Sequence, residues 1–297
     1  MFTVQFKYPQ MNIIIVGANG FIGSHLASFF NKNNAHNVFA INWREESIVQ
    51  IKELCITHKI DVLINATGSA NVALSVKSPS VDFEANVLFH FKLLDMLKDF
   101  HCKYIYFSSA AVYGNTQQSP VLETAVMNPV SPYGWHKYFA EQMCKEFASL
   151  YHVQTASLRL FSVFGPGQTK MLFYDLFNKC NKNQDFVELQ GSGTDSRDFI
   201  YVEDVMLAVE KVITLAPMQG ECYNIASGVE RNINDVAMAF VKMAAPNKTI
   251  KFNGNSIPGY PSNWKADISL ISNMGFVAET NFEQGLKQTI QWLKENV

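Results

Sequence analysis

No stretch of this sequence approaches the roughly 20 consecutive apolar residues that a membrane-spanning helix requires, so no membrane partner is expected. Cysteine is scarce. Cys55, Cys102, Cys144, Cys180 and Cys222 lie far apart, with no CxxC pair and no histidines at ligand spacing. That scatter argues against a disulfide framework, provides no metal site and fits a reducing compartment. A surplus of positive charge is missing too. Lysine and arginine number 24 against 26 aspartates and glutamates, a formal net charge of -2, which lacks the basic footprint of a nucleic-acid binder. Met1 to Gln10 holds one lysine and no extended apolar core, so it does not read as a signal peptide. The expected location is therefore cytoplasmic, with those ten residues as a leader ahead of Met11. What the chain does have is apolar bulk, 48% of 297 residues with 17% charged. That is enough for one large domain or a main domain with a smaller lobe.

The apolar residues are arranged as short runs alternating with helical periods. Asn12 to Val16 is a continuous run ending at glycine, and Phe21 to Asn31 follows as a helix. Val38 to Ile41 and Glu45 to His58 repeat that pair. Val62 to Ile64 stops at the small-residue loop Asn65-Ala66-Thr67-Gly68. Val81 to Asp99 reads as one long helix with Val87, Leu88, Phe91, Leu94 and Leu97 on a single stripe. Tyr104 to Phe107 leads into Ser108-Ser109, Tyr133 to Tyr151 is helical, and Thr155 to Leu160 is a further strand. The implied fold is α/β, a doubly wound parallel sheet covered on both faces, with ligands beyond the carboxyl ends of the strands. After Gly165-Pro166-Gly167 the pattern loosens. The expected division is a main domain at 11–165, with 199–227 returning to it, and a smaller C-terminal substrate-binding lobe at 166–198 and 228–297.

Gly17, Gly20 and Gly23 fall between the first strand and the first helix in a GxxGxxG spacing, within Gly17-Ala18-Asn19-Gly20-Phe21-Ile22-Gly23. The first glycine allows a tight turn, the second a close backbone approach to pyrophosphate, and the third close packing of helix on sheet. The helix N-terminus then offers unpaired N–H groups to phosphate. This is a Rossmann-type dinucleotide site. An acid that would bond the ribose hydroxyls of NAD is missing at the end of the second strand, where Asn42, Trp43 and Arg44 stand instead. Asn42 does not repel a 2′-phosphate and Arg44 can pair with one, which favours NADP over NAD. The other reading of Arg44 is a solvated first-turn residue beside Glu45 and Glu46.

Tyr133 and Lys137 stand at i and i+4 on one helix face. A phenol with a pKa near 10 is a poor base at neutral pH. A neighbouring ammonium stabilises the phenolate, and Ser109, at the end of the fourth strand, can orient the same substrate oxygen. Tyr113 has no lysine at i+4. His136 points about 100° away from Tyr133 and takes a surface or structural role, and His25 one of packing or solvation.

Taken in order, the glycine loop, Ser108-Ser109-Ala110-Ala111-Val112-Tyr113-Gly114 and Tyr133-Gly134-Trp135-His136-Lys137 make the chain resemble the extended short-chain dehydrogenase/reductases. The likeness is strongest to nucleotide-sugar epimerases, dehydratases and reductases. Further matches are Asn86-Val87, the run Arg159 to Gly167, the run Arg197 to Val205, and Tyr223 to Gly228. By this resemblance Ser109, Tyr133 and Lys137 are catalytic, and a nucleoside-diphosphate sugar exchanges hydride with the nicotinamide at C4. Ala66, Gly68, Asn86 and Phe161 then border the cofactor, Arg197 and Ser162 contact the substrate, and the protein is a homodimer. Ser162 replaces a more usual asparagine. Ile257-Pro258-Gly259-Tyr260 lacks a second phosphate arginine that relatives carry there. The stretch from Asn42 to Ile60 goes almost directly into a helix, a short form similar to NADP-using reductases of 4-keto deoxysugar nucleotides, and with the NADP signal it favours a 4-keto sugar reductase. The alternative is an NAD-dependent 4-epimerase, followed by a dehydratase or a non-catalytic dinucleotide-binding protein.

Overall fold

A computed structural model describes residues 9–32, 35–44, 47–116, 118–255 and 263–297. Most of the leader and the Ile257–Tyr260 segment fall outside them, as do Glu45 and Glu46. In chain order the first half runs β1 (Asn12–Val16), α1 (Phe21–Asn31), β2 (Asn37–Ile41), α2 (Ser47–Thr57), β3 (Val62–Asn65), α3 (Val72–Lys77), α4 (Pro79–Phe83), α5 (Phe89–Leu97), β4 (Lys103–Ser109), α6 (Pro132–Tyr151) and β5 (Thr155–Leu160). The second half runs β6 (Ser162–Phe164), α7 (Met171–Cys180), β7 (Phe186–Leu189), β8 (Ser196–Tyr201), α8 (Val202–Leu215), β9 (Gln219–Ile225), β10 (Glu230–Asn232), α9 (Ile233–Ala244), β11 (Thr249–Phe252), α10 (Ser269–Asn273) and α11 (Phe282–Asn296).

Six strands form a parallel sheet in the order β2-β1-β3-β4-β5-β9. Successive side chains on a strand point to opposite faces, which is why β1 is apolar throughout. Ile13 and Ile15 enter the core beneath α1 and α8, while Ile14 and Val16 enter the core beneath α5 and α6. The chain leaves β1 for β2 on one side and returns as β3 on the other. That reversal opens a crevice at the carboxyl ends of β1 and β3, where ligands bind in such sheets.

Two expectations need correction. Val81 to Asp99 is not one regular helix, because a π turn at Glu84–Leu88 joins α4 to α5. The extra residue shifts the helical register of α5. Leu88 and Phe91 are therefore exposed, and Phe89, His90 and Leu93 join Val87, Leu94 and Leu97 inside. The second concerns which strand rejoins the main sheet. β8 pairs with β6 and β10 in a separate three-stranded sheet, so within 199–227 only β9 rejoins the main sheet, although Ile200 on β8 already packs in the core beneath α1 and α8. That small sheet and the β7–β11 pair surround a third core built on Phe164, Phe173, Phe199, Phe240 and Leu286. Among the described residues no helix is long and apolar enough to cross a membrane.

Candidate active site

The β1–α1 turn is shaped by two close approaches. Gly17 has φ +86°, and a Cβ there would sit 2.8 Å from Ala66 O. A Cβ on Gly23 would overlap Gly17 O itself. The turn is closed by Gly20 N–H donating to Gly17 O at 2.9 Å and by Gly17 N–H donating to Ile41 O at 2.8 Å. Asn19 and Gly20 are exposed beside the start of α1, Phe21 and Ile22 are half-buried, and α1 has no acidic residue in its first turn. The helix dipole is thus left to an external anion, and the cradle fits the pyrophosphate of a dinucleotide.

On the β2 side, Ser47 Oγ accepts from Arg44 N–H at 2.8 Å and donates to Asn42 O at 3.0 Å. This turn fixes the backbone of both residues and leaves their side chains exposed. β2 lies three strand spacings from β4, about 14 Å at the usual separation, so a dinucleotide can span from Asn42 to the β4 end.

A buried chain of hydrogen bonds holds the β3 loop. Asn65 Oδ1 accepts from Thr67 N–H at 3.1 Å, and Asn65 Nδ2 donates to Tyr104 OH at 2.8 Å. Tyr104 OH lies 2.7 Å from His90 Nδ1, and His90 Nε2–H donates to Ala140 O at 3.0 Å. Burial pushes the His90 pKa down to about 3, so it is neutral, as that pattern requires. Beyond Asn65, Ala66 N–H donates to Val16 O at 2.9 Å. Gly68 then brings the loop against Asn86 and Lys137, since a Cβ on it would clash with Asn86 Oδ1 and lie 3.4 Å from Lys137 Nζ. Asn86 Nδ2 donates to Ser69 O at 3.2 Å, whereas its Oδ1 is buried without a hydrogen-bond partner. Ala66, Gly68 and Asn86, all expected to border the cofactor, therefore converge here with an acceptor to spare.

Ser131 and Pro132 set the start of α6. Ser131 Oγ caps it by accepting from Gly134 N–H at 3.2 Å, and proline occupies the first turn where no N–H is needed. Tyr133 N–H donates to Ser75 Oγ at 3.1 Å, tying α6 to α3. Gly134 lets the Ser109–Tyr113 loop lie directly on α6, because a Cβ there would come within 2.6 Å of Ala111 O. A Gly134→Ala substitution should displace that loop. The expected loss is about 1–3 kcal/mol of stability together with a drop in turnover, measured by urea titration and assay of one preparation.

Ser109 closes β4, and its Oγ accepts from Ala111 N–H at 3.2 Å. Tyr133 is buried, and Lys137 is only 5% exposed. Lys137 Nζ donates to Phe107 O at 2.9 Å and stands 4.9 Å from the Tyr106 ring and 5.9 Å from the Tyr133 ring. Burial lowers its pKa to about 8 against the pull of the Asp82 and Glu141 carboxylates, so it is still cationic at neutral pH. Between pH about 8 and 10.5 the folded protein gives up this proton while the unfolded chain keeps it. Stability from this position therefore rises with pH across that window. The melting temperature of wild type relative to Lys137→Met should climb as pH is raised through it, and a flat difference would contradict the burial of the charge.

Other candidates take structural places. Tyr113 is fully buried, donates to Asn224 Oδ1 at 2.5 Å and accepts from Arg159 at 2.8 Å. His136 is not at the surface: its Nδ1 pairs with Asp82 Oδ2 at 2.6 Å inside the protein. His25 Nε2–H donates to Pro166 O at 2.9 Å. Phe161 is buried with its N–H on Ile225 O, and Ser162 begins β6 beside it. Arg197 lies on β8, with its Cζ 5.3 Å from the Trp264 ring. The Asp198 carboxylate is taken up by Ser227 N–H and Oγ–H and by Ala266 N–H, so it is not an ion-pair partner for Arg197. Sequence reasoning missed Trp264, which packs against Phe161 and the cluster containing Tyr133, with its Nε1 buried and unpartnered. An aromatic between irregular segments carries no local signal. It missed the Arg159–Glu141 pair as well, both side chains being almost completely buried.

A crevice at the strand reversal, a glycine cradle and a Ser–Tyr–Lys group at the β4 end are the marks of a dinucleotide-dependent enzyme. The profile of the NAD dependent epimerase/dehydratase family matches residues 13–226, and the chain belongs to that family. A Methanocaldococcus jannaschii relative, provisionally named UDP-glucose 4-epimerase, is 30% identical over 96% of this chain and 99% of its own. The solved UDP-glucuronic acid 4-epimerase of Bacillus cereus, in complex with UDP-glucuronic acid and NAD, superposes with a TM-score of 0.88 at 26% identity. It covers 97% of this chain and 100% of that one. A UDP-N-acetylglucosamine 4-epimerase of Methanobrevibacter ruminantium gives 0.87 at 25% identity, over 98% and 100%.

Proposed function

We propose that this chain is an NAD-dependent nucleotide-sugar 4-epimerase. The observation that carries the proposal is the buried Lys137 ammonium beside Tyr133 at the β4 end, in a chain similar to 4-epimerases over nearly its whole length. NAD, when bound, would supply the hydride acceptor for C4 of the sugar and the donor that restores it. The Gly17–Gly23 loop, Ala66, Gly68 and Asn86 would hold it, with Asn42 towards the adenosine and Phe161 towards the nicotinamide. Tyr133 takes the proton of the C4 hydroxyl, because Lys137 stabilises its phenolate. Ser109 donates to the same oxygen and orients it. Once the 4-keto sugar has turned over in the site, Tyr133 returns the proton to that oxygen. The cycle consumes no external acid, base or reductant. No acidic residue immediately precedes Tyr113 or follows Ser109, which disfavours dehydration.

The lean towards NADP and a 4-keto reductase gives way here. It rested on Asn42, Arg44 and the short stretch after them, whereas the Bacillus cereus relative holds NAD. An uncharged Asn42 still hydrogen-bonds ribose hydroxyls. Mass spectrometry of the nucleotide that copurifies distinguishes the two: retained NAD is expected, and an empty site with NADPH-dependent turnover of a keto sugar would restore the reductase.

We also propose a homodimer. Val81, Phe83 and Phe91 on α4 and α5, Leu88 on the turn between them, and Trp135 and Phe139 on α6 are all at least 40% exposed. A second copy set against these helices covers both groups. Sedimentation velocity should give a dimer in wild type and a monomer in Phe91→Asp/Phe139→Asp.

A further inference from the structure

We infer that Arg231 is the second guanidinium of a two-arginine clamp on the diphosphate of the nucleotide sugar, an assignment that rests on the function just proposed. β10 and β8 are antiparallel, with Arg231 directly opposite Arg197. Side chains at opposed positions leave the same face of the sheet, with Cβ atoms about 5 Å apart. Ser162 on β6 pairs with Phe199, two residues along β8 from Arg197, so Ser162 stands on that face as well. One face of three strands therefore carries a hydroxyl and two cations.

Like charges directly opposite one another destabilise a sheet, and the protein does little to offset this pair at Arg231. Among the described residues no carboxylate lies within 4.0 Å of it, and its Nε is buried without a hydrogen-bond partner. Glu230, its neighbour, accepts from Ser196 Oγ instead. Arg197 Nη1 donates to Ser196 O at 2.7 Å, and each guanidinium also stands over an aromatic ring. Arg197 Cζ stands 5.3 Å from the Trp264 ring and Arg231 Cζ 4.4 Å from the Phe282 ring. A ring covers the flat face of a guanidinium and leaves its N–H edge for a planar or tetrahedral anion. The Arg231 guanidinium, set beside that of Arg197 on one face, adds a second cation that suits two linked phosphates better than a single carboxylate. α9 begins two residues after Arg231, capped by Asn232, and its positive end adds to the same field. With no arginine in Ile257-Pro258-Gly259-Tyr260, β10 supplies the second cation.

The test is calorimetric titration of UDP and of UMP into NAD-loaded wild type, Arg231→Met and Arg231→Lys. The methionine keeps an apolar stem on Phe282 and removes the charge. Losing a charge-assisted hydrogen bond to the second phosphate should weaken UDP binding about 10- to 100-fold. UMP binding should change far less, Arg231→Lys should fall between, and melting temperature should hold. For the UDP-sugar, KM should rise while kcat stays close to wild type. UDP affinity in Arg231→Met within about threefold of wild type, or equal losses for UMP and UDP, would overturn the clamp. If wild type turns over a UDP-sugar in either case, only Arg231 is at fault. If wild type binds neither UDP nor any UDP-sugar, the nucleotide-sugar function fails and the clamp with it.

Discussion

Tyr133→Phe is expected to lower kcat about 100- to 10,000-fold, the range general acid–base catalysis supplies, while the fold and the bound NAD stay as they are. The phenol hydroxyl is the only part removed. The ring keeps its packing against Val72 and Ala111, and the main-chain bond from Tyr133 to Ser75 Oγ is independent of the side chain. Lys137 also remains anchored on Phe107 O, so the charge that tunes the phenolate persists without a phenol to tune. A single-turnover measurement in the variant should show substrate bound and no transfer at C4. Turnover within about threefold of wild type would mean that another group moves the proton.

The second large effect is on stability. Arg159 Nε and Nη2 donate to the two oxygens of Glu141 at 2.9 and 2.8 Å, and Nη1 donates to Tyr113 OH and Glu123 O, both at 2.8 Å. Both charged side chains are essentially removed from water. Removing one partner leaves an uncompensated buried charge, so Glu141→Ala should lower the unfolding free energy by about 3–5 kcal/mol. Replacing the pair together, with Arg159→Met and Glu141→Leu, should recover most of that loss, because the desolvation of both ions disappears with them. Urea titration of the single and double variants measures this. A loss below about 1 kcal/mol in the single variant, the range of an exposed pair, would show that water reaches Arg159.

The same pair marks where the sequence stops being legible. The glycine cradle, the helix that opens at Tyr133 and the placement of Ser109, Tyr133 and Lys137 along the chain could be read directly, because each depends on neighbours within one strand or one helical turn. β5 was bounded correctly at Thr155 and Leu160 because both of its faces are buried. The helix over Val81 to Asp99 was misread at Leu88 and Phe91, since a period of 3.6 contains no signal for the residue that the π turn inserts. Interactions at long range were out of reach. Glu141 and Arg159 are 18 residues apart and Tyr113 and Asn224 are 111 apart, and Arg231 meets Arg197 only through the register of an antiparallel pair. Asn42 and Arg44 stand at the β2 end as expected, but which ribose group they meet depends on a cofactor whose chemistry their residue identities alone do not select.

The central claim is tested most directly by supplying the purified protein, with no added cofactor, with UDP-glucose, UDP-glucuronate and UDP-N-acetylglucosamine, each carrying deuterium at C4. NMR then tracks the products. An NAD-retaining 4-epimerase converts at least one of them to its C4 epimer with the deuterium kept at C4. Absence of any epimer, or loss of the label to solvent, would contradict it.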